Sequence, residues 1–266
     1  MARSRISKAY YEPARWYDLR DFSKLHDVEF FLRMAEKHGP CVLECGSGTG
    51  RIAIPLAQAG SDLVGIDRDS AMLKRARAKW KAVKEEAKGA ARFLKADMTR
   101  FSLHKRFDVA FVAFNTFLTL AALEDRLAML RCVRRHLVPG GRLIVDIYQP
   151  SIATLSGDQP ERLDFTLDDP KTGCIVKRYS WVRRDMAAQQ AQVSFEYRYT
   201  QPDGTTRSEK TSFPMCIIFP AEMRLLFHIT GYEVEHVYGN HDMAPFHKNS
   251  PLMIFVARRL DRAKKR

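Results

Sequence analysis

The sequence predicts an α/β fold: a doubly wound, mostly parallel sheet of seven strands, with a small antiparallel three-stranded insertion after the fifth strand. Three observations carry this expectation. Short apolar runs alternate with helical patterns from residue 28 to 148, as a chain of βαβ units requires. Three glycines at alternate positions join the first apolar run to a helix, the device that brings backbone close to a ligand at a helix start. After residue 148 the helices give way to two-residue alternation, the period of a half-buried antiparallel sheet.

Taken in order, the core strands are "CVLEC" (41–45), "DLVGID" (62–67), "RFLKA" (92–96), "FDVAFVAF" (107–114) and "GRLIVDIY" (141–148). Helices fall near 51–59, 69–88 and 122–137, the last stopped by "LVPGG", where a proline and two glycines cannot continue it. A Pro-, Asp- and Gly-rich stretch (149–173) reads as a connection. Beyond it, Val193, Phe195, Tyr197 and Tyr199 alternate with Gln192, Ser194, Glu196 and Arg198, which places the aromatics on one face of a strand. "QPDG" (201–204) turns the chain, and Phe213, Met215, Ile217 and Phe219 continue the alternation on the way back. Tyr179 and Trp181 mark the insertion's remaining strand. "PAEMRLLFHIT" reads as a helix, and "YEVEHVYG" and "PLMIFVARR" supply strands six and seven. The chain is thus one domain: an N-terminal lid (1–39), a core (40–150), the insertion (151–219), a last helix with the final strands (220–260) and a basic tail (261–266).

At 266 residues and 45% hydrophobic composition, the chain can bury one sizeable core. Its start lacks an apolar signal region and no window is long and apolar enough to span a membrane, so a soluble cytoplasmic protein is expected. Five cysteines without a Cys-x-x-Cys pair suit neither a disulfide framework nor a zinc site, and no metal is expected. The net charge of +13 is concentrated in the first 150 residues, 27 Lys and Arg against 17 Asp and Glu. Much of it lies on the helix after Asp67, where Met72, Leu73, Ala76 and Trp80 would face inward. That helix (69–92) is either a solvated face or a nucleic-acid contact surface.

The glycine loop reads Gly46-x-Gly48-x-Gly50. The dinucleotide fingerprint would need glycine where Arg51 stands, and a P-loop would need Gly-Lys-Ser/Thr, so the loop is Rossmann-like without being either. Glu44, two residues before the first glycine, suits a cationic ligand group and opposes a pyrophosphate. Asp67 ends the second strand, where a carboxylate accepts hydrogen bonds from ribose hydroxyls. The ligand implied is a nucleoside that carries an amino group and no phosphate.

These motifs resemble those of the class I S-adenosylmethionine-dependent methyltransferases. "VLECGSGTG" is similar to the family's glycine-rich motif, "LVGIDRDSAML" to its ribose segment, "FLKADM" to its adenine segment, "FDVAFVAFNTF" to the motif after strand four and "LVPGGRLIVDIY" to the fifth strand. The resemblance, which covers residues 40 to 148, implies S-adenosyl-L-methionine as cofactor and S-adenosyl-L-homocysteine as product. It implies that Glu44 and the backbone of Gly46, Ser47, Gly48, Gly50 and Arg51 hold the methionine moiety, and that Asp67 holds the ribose. Asp97 would accept from the adenine amino group with Met98 and Arg68 flanking the ring, and Phe114 and Asn115 would lie near the sulfonium. Cys45 departs from the residues common there.

The layout is similar to small-molecule N-methyltransferases such as glycine N-methyltransferase and the sugar N,N-dimethyltransferases. That likeness implies a small-molecule acceptor, Tyr11 and Tyr17 at the substrate, and the insertion's aromatic face over the pocket or against a second copy in a homodimer. Methyl transfer from a sulfonium needs alignment and exclusion of water, so a general base is optional. Its candidates are Tyr148, His241, His228, His236 and His247, with Tyr148 and His241 foremost. The atom methylated, nitrogen or oxygen, stays open, as do an RNA acceptor and a non-catalytic cofactor-binding scaffold.

Overall fold

The structure, a computed structural model, describes residues 14–19, 26–151 and 155–261. The chain forms two compact units, one of residues 1–22 and 150–217 and a larger one of residues 23–149 and 218–266.

The larger unit holds α2 (Asp27–His38), α3 (Ala53–Ala59), α4 (Ser70–Val83), α5 (Leu123–His136) and α6 (Pro220–Ile229) around seven strands. These are β1 (Cys41–Cys45), β2 (Asp62–Asp67), β3 (Ala90–Lys95), β4 (Phe107–Val112), β5 (Leu137–Tyr148), β10 (Tyr232–Tyr238) and β11 (Leu252–Arg259). Their order is β10-β11-β5-β4-β1-β2-β3, the mostly parallel doubly wound sheet the sequence predicts. Only β11 runs antiparallel to its neighbours, so β10 runs with β5 and the loop after it emerges at the carboxyl edge of the sheet. That is also the edge where the glycine loop leaves β1, whose neighbours are β2 on one side and β4 on the other. Chain connections diverge from β1 there, and the resulting crevice is where open α/β sheets bind ligands.

The central strands are apolar because both faces are covered. Val42, Leu43 and Cys45 of β1, Ala110 and Val112 of β4, and Leu143, Ile144 and Val145 of β5 are fully buried. Phe30, Phe31, Met34 and Ala35 form the inner stripe of α2, and the Phe31 ring stacks on Phe111 of β4 at 4.4 Å. Helix α5 stops at His136, earlier than "PGG": Leu137 is already extended, and Val138 precedes proline, which disfavours helical backbone. Asp69 caps α4 by accepting from the Ala71 and Met72 N–H groups. Met72, Leu73 and Ala76 are buried as expected. Two of this helix's cations serve the fold, Arg77 donating to the Phe93 carbonyl at 2.7 Å and Lys79 to Thr49 Oγ1 at 3.0 Å. Among the described residues no helix is long and apolar enough to cross a membrane.

The smaller unit is a four-stranded antiparallel sheet, β6 (Gln159–Asp169), β7 (Cys174–Asp185), β8 (Gln190–Thr200) and β9 (Thr206–Cys216), in that order. The expected insertion has one strand fewer, because β6 lies within the stretch read as a connection. Its composition hides it: an edge strand tolerates Pro160 and a run of charges, and these mask the alternation of Leu163, Phe165 and Leu167. Phe195, Tyr197 and Tyr199 share a face, while Tyr179 and Trp181 pair across with Glu196 and Ser194 and so belong to the opposite one. The returning strand ends at Cys216, and Phe219 flanks the start of α6.

Within this unit the aromatic face has a cover of its own. Trp16 of the short helix α1 (Ala14–Tyr17) packs with Cys174, Val176 and Tyr197, its ring 5.5 Å from Tyr199. Tyr17 is half-buried at the end of that helix, and Tyr11 lies outside the described residues.

Candidate active site

The glycine loop is built by close backbone approach. The Gly46 and Ser47 N–H groups donate to the Ile66 carbonyl at 2.8 and 3.0 Å, clamping the end of β1 onto the end of β2. Gly46 has φ +78°, and a Cβ there would stand 2.5 Å from Thr116 Cγ2. On β2, a Cβ at Gly65 would stand 2.8 Å from Ser47 Cβ. Gly48 differs: at φ +52° it has nothing within 4 Å of a Cβ position, so its side faces open space. Changing Gly46 to alanine is expected to cost about 1–3 kcal/mol from left-handed strain and the Thr116 contact. Chemical denaturation measures that loss directly.

Two carboxylates meet this loop. Asp67 is buried and accepts from the Gly48 and Asp69 N–H groups, both at 2.8 Å. Burial raises its pKa, an effect that those two hydrogen bonds partly offset. Glu44 is 3% exposed on the central strand, where burial pushes its carboxyl well above the usual range while the Arg51 guanidinium pulls it down. The Ala53 N–H bonds this carboxylate, yet Oε2 has no partner, and neither does the buried Ser47 hydroxyl. Buried polar atoms are ordinarily satisfied, so an orphaned carboxylate oxygen beside a glycine loop marks a place that a cationic donor completes. A phosphate there would face two carboxylates.

Arg51 stands at the loop's far end, but its guanidinium is committed elsewhere. It forms two parallel bonds with Asp27, at 2.8 and 2.6 Å, and lies 5.3 Å from the Phe114 ring centre. Phe114 and Asn115 follow β4 with φ +57° and +65°, an uncommon conformation for a phenylalanine. Asp146 of β5 holds that turn: its carboxylate accepts from Phe114 N–H at 3.3 Å and its carbonyl from Asn115 N–H at 3.1 Å. Asn115 Oδ1 in turn accepts from Tyr148 N–H at 2.7 Å. One strand beyond β2, Asp97 accepts from both the N–H and the hydroxyl of Thr99, with Met98 buried beside it and Arg68 on the solvent side.

Among the candidate bases, His228, His236 and His247 are exposed. His241 is not: its Nε2 lies 3.2 Å from Asp146 Oδ2, the two side chains being 13% and 3% exposed, with the Phe30 ring packed alongside. The sequence reading missed Asp146. Its signal was present, a lone acid inside "LIVDIY", where the other five residues carry no charge. Among the described residues no group of three or more His, Cys, Asp or Glu side chains is placed to hold a metal.

Residues 42–141, from β1 into β5, match the family described as a methyltransferase domain. A curated relative, the cypemycin N-terminal methyltransferase of a Streptomyces species, is 27% identical over 221 residues, covering 83% of this chain and 84% of that protein. The solved CcbJ methyltransferase of Streptomyces caelestis superposes with a TM-score of 0.77 at 23% identity, over 96% of this chain and 100% of that one. The sugar N-methyltransferase KedS8 of a Streptoalloteichus species does so with 0.73 at 22%, over 98% and 99%. Residues 42–141 thus resemble a methyltransferase domain in sequence, and the solved structures share the fold of the chain.

Proposed function

We propose that the protein transfers a methyl group from S-adenosyl-L-methionine to an amine nitrogen of a small molecule. The observation that carries this reading is Glu44 Oε2, a buried carboxylate oxygen without a partner beside a glycine loop. It matches the cofactor's ammonium, and the open side of Gly48 leaves room for the methionine portion against the backbone from Gly46 to Gly50. Asp67 then serves the ribose, and Asp97 the adenine amino group with Met98 and Arg68 at the ring. Phe114 and Asn115 form the wall toward the acceptor. In this assignment Arg51 supports the loop through Asp27 in place of touching the ligand.

The cofactor supplies an electrophilic methyl on a sulfonium, so the chain's work is to bind it, orient the acceptor and receive a proton. Nitrogen is favoured over oxygen because one relative above is named as an N-terminal methyltransferase and a second as a sugar N-methyltransferase. An RNA acceptor has less support, since Arg77 and Lys79 of α4 are occupied within the fold. The test is transfer of an isotopically labelled methyl to a panel of amino sugars, short peptides, matched hydroxyl compounds and RNA, with products read by mass spectrometry. The reading expects label on nitrogen of an amino sugar or other small amine. Label confined to peptide termini, hydroxyl oxygen or RNA overturns it.

A further inference from the structure

We propose that neutral His136 latches the segment 97–103 onto α5, and that protonation of its ring releases that segment, giving the protein an acid-sensitive hold on its cofactor. The hold on the cofactor rests on the reading above, in which Asp97 and Met98 meet the adenine. The segment is anchored on both sides. Toward β3, the Ala96 N–H donates to the Asp67 carbonyl and the Arg100 N–H to the Asp97 carbonyl, both at 2.9 Å. On the far side the anchor is α5. Cys132 Sγ accepts from the Phe101 N–H and donates to the Phe101 carbonyl, each at 3.4 Å. His136 Nε2 accepts from the Leu103 N–H at 3.1 Å, and the Phe101 ring stacks on the imidazole with centres 4.4 Å apart.

The partners dictate where the ring carries its proton. The Cys132 carbonyl, 2.8 Å from Nδ1, can only accept, so Nδ1 bears the hydrogen. The Leu103 N–H can only donate, so Nε2 keeps its lone pair and the ring is neutral. A second proton would land on Nε2 against the Leu103 N–H, and that amide would lose its acceptor. His136 is buried, so the imidazolium would also lose solvation. The charged groups bearing on it are cations: Arg135 on α5, and Arg106 at the end of the loop, which donates to the Arg135 and Leu137 carbonyls. His104 of that loop is exposed, and Lys105 is paired with Asp62. Burial lowers the His136 pKa; the bond to the Cys132 carbonyl opposes this, and the two arginines add to it. Opening of the segment returns the ring to water and to its ordinary pKa of about 6.5. Opening therefore takes up a proton, and it becomes easier as pH falls.

The experiment is amide hydrogen exchange by NMR on full-length, cofactor-free protein over a pH series descending from neutrality, each rate being divided by that of an unstructured chain. Protection of the Leu103 N–H is expected to fall by about tenfold per pH unit below about 6.5, the slope for one proton taken up on opening. In His136→Gln, whose side-chain oxygen can stand in the place of Nε2 without titrating, protection should not follow pH. Nitrogen-15 NMR of the wild-type ring at neutral pH should show the Nδ1–H tautomer. Saturating S-adenosylhomocysteine should raise Leu103 protection by more than about tenfold, because a ligand held by the latched segment opposes its opening. A wild-type Leu103 amide whose protection ignores pH overturns the proposal, as does an Nε2–H tautomer or an unchanged pH slope in His136→Gln. A normal pH slope with protection unmoved by bound ligand overturns instead the placement of adenine at Asp97 and Met98.

Discussion

Replacing Glu44 with glutamine is expected to weaken S-adenosylhomocysteine binding by about 10–100-fold while raising the stability of the free protein. The first effect is the loss of a charge-assisted hydrogen bond to the ligand's ammonium, worth about 1.5–3 kcal/mol. The second follows from linkage. Burial raises the Glu44 pKa in the folded, ligand-free protein. The folded state then binds more protons than the unfolded one above the ordinary carboxylate range, so stability is present at low pH and declines as pH rises toward the folded pKa. Glutamine removes that decline. Ligand binding reverses the sign locally: an ammonium favours the ionised carboxylate, so affinity should rise with pH across the window between the bound and free pKa values. Thermal melts and calorimetry at several pH values measure both. A Glu44→Gln protein that is less stable and binds as tightly as wild type contradicts the account.

Replacing Arg51 with methionine is expected to destabilise the protein by about 3–5 kcal/mol, because it strands the Asp27 carboxylate, 1% exposed, without its bidentate partner. Adding Asp27→Asn should recover a large part of that loss, since the stranded charge disappears. Cofactor affinity measured below the melting range should fall less than tenfold, for Arg51 acts on the site through the loop and through Glu44. A variant that melts like wild type but no longer binds cofactor would mean that Arg51 touches the ligand directly.

The core of the fold was legible because its signals are local. Apolar runs covered on both faces, a glycine loop and an acid at the end of β2 can each be read from a few neighbouring residues. Strand β6 was not, since an edge strand carries the prolines and charges of a loop and is defined by its pairing with β7. The aromatic face was half legible: alternation placed Phe195, Tyr197 and Tyr199 together, but the registers that send Tyr179 and Trp181 to the other side exist only across strands. Arg51 illustrates a different limit. Its place in the motif can be read locally, whereas the partner of its guanidinium lies 24 residues away in the chain. Asp146 and His241 are 95 residues apart, and their meeting is a product of β11 lying between β5 and β10 in the sheet.

The cradle around Glu44 is tested most directly by titrating S-adenosylhomocysteine into the wild-type protein by calorimetry, over a pH series that rises from the ordinary carboxylate range, in two buffers of different ionisation enthalpy at each pH. The account predicts one ligand per chain and a heat that varies with the buffer in the sense of proton release, with that variation lost in Glu44→Gln. Absence of binding, or binding to wild type with no proton released at any pH up to the free carboxyl's pKa, would contradict it.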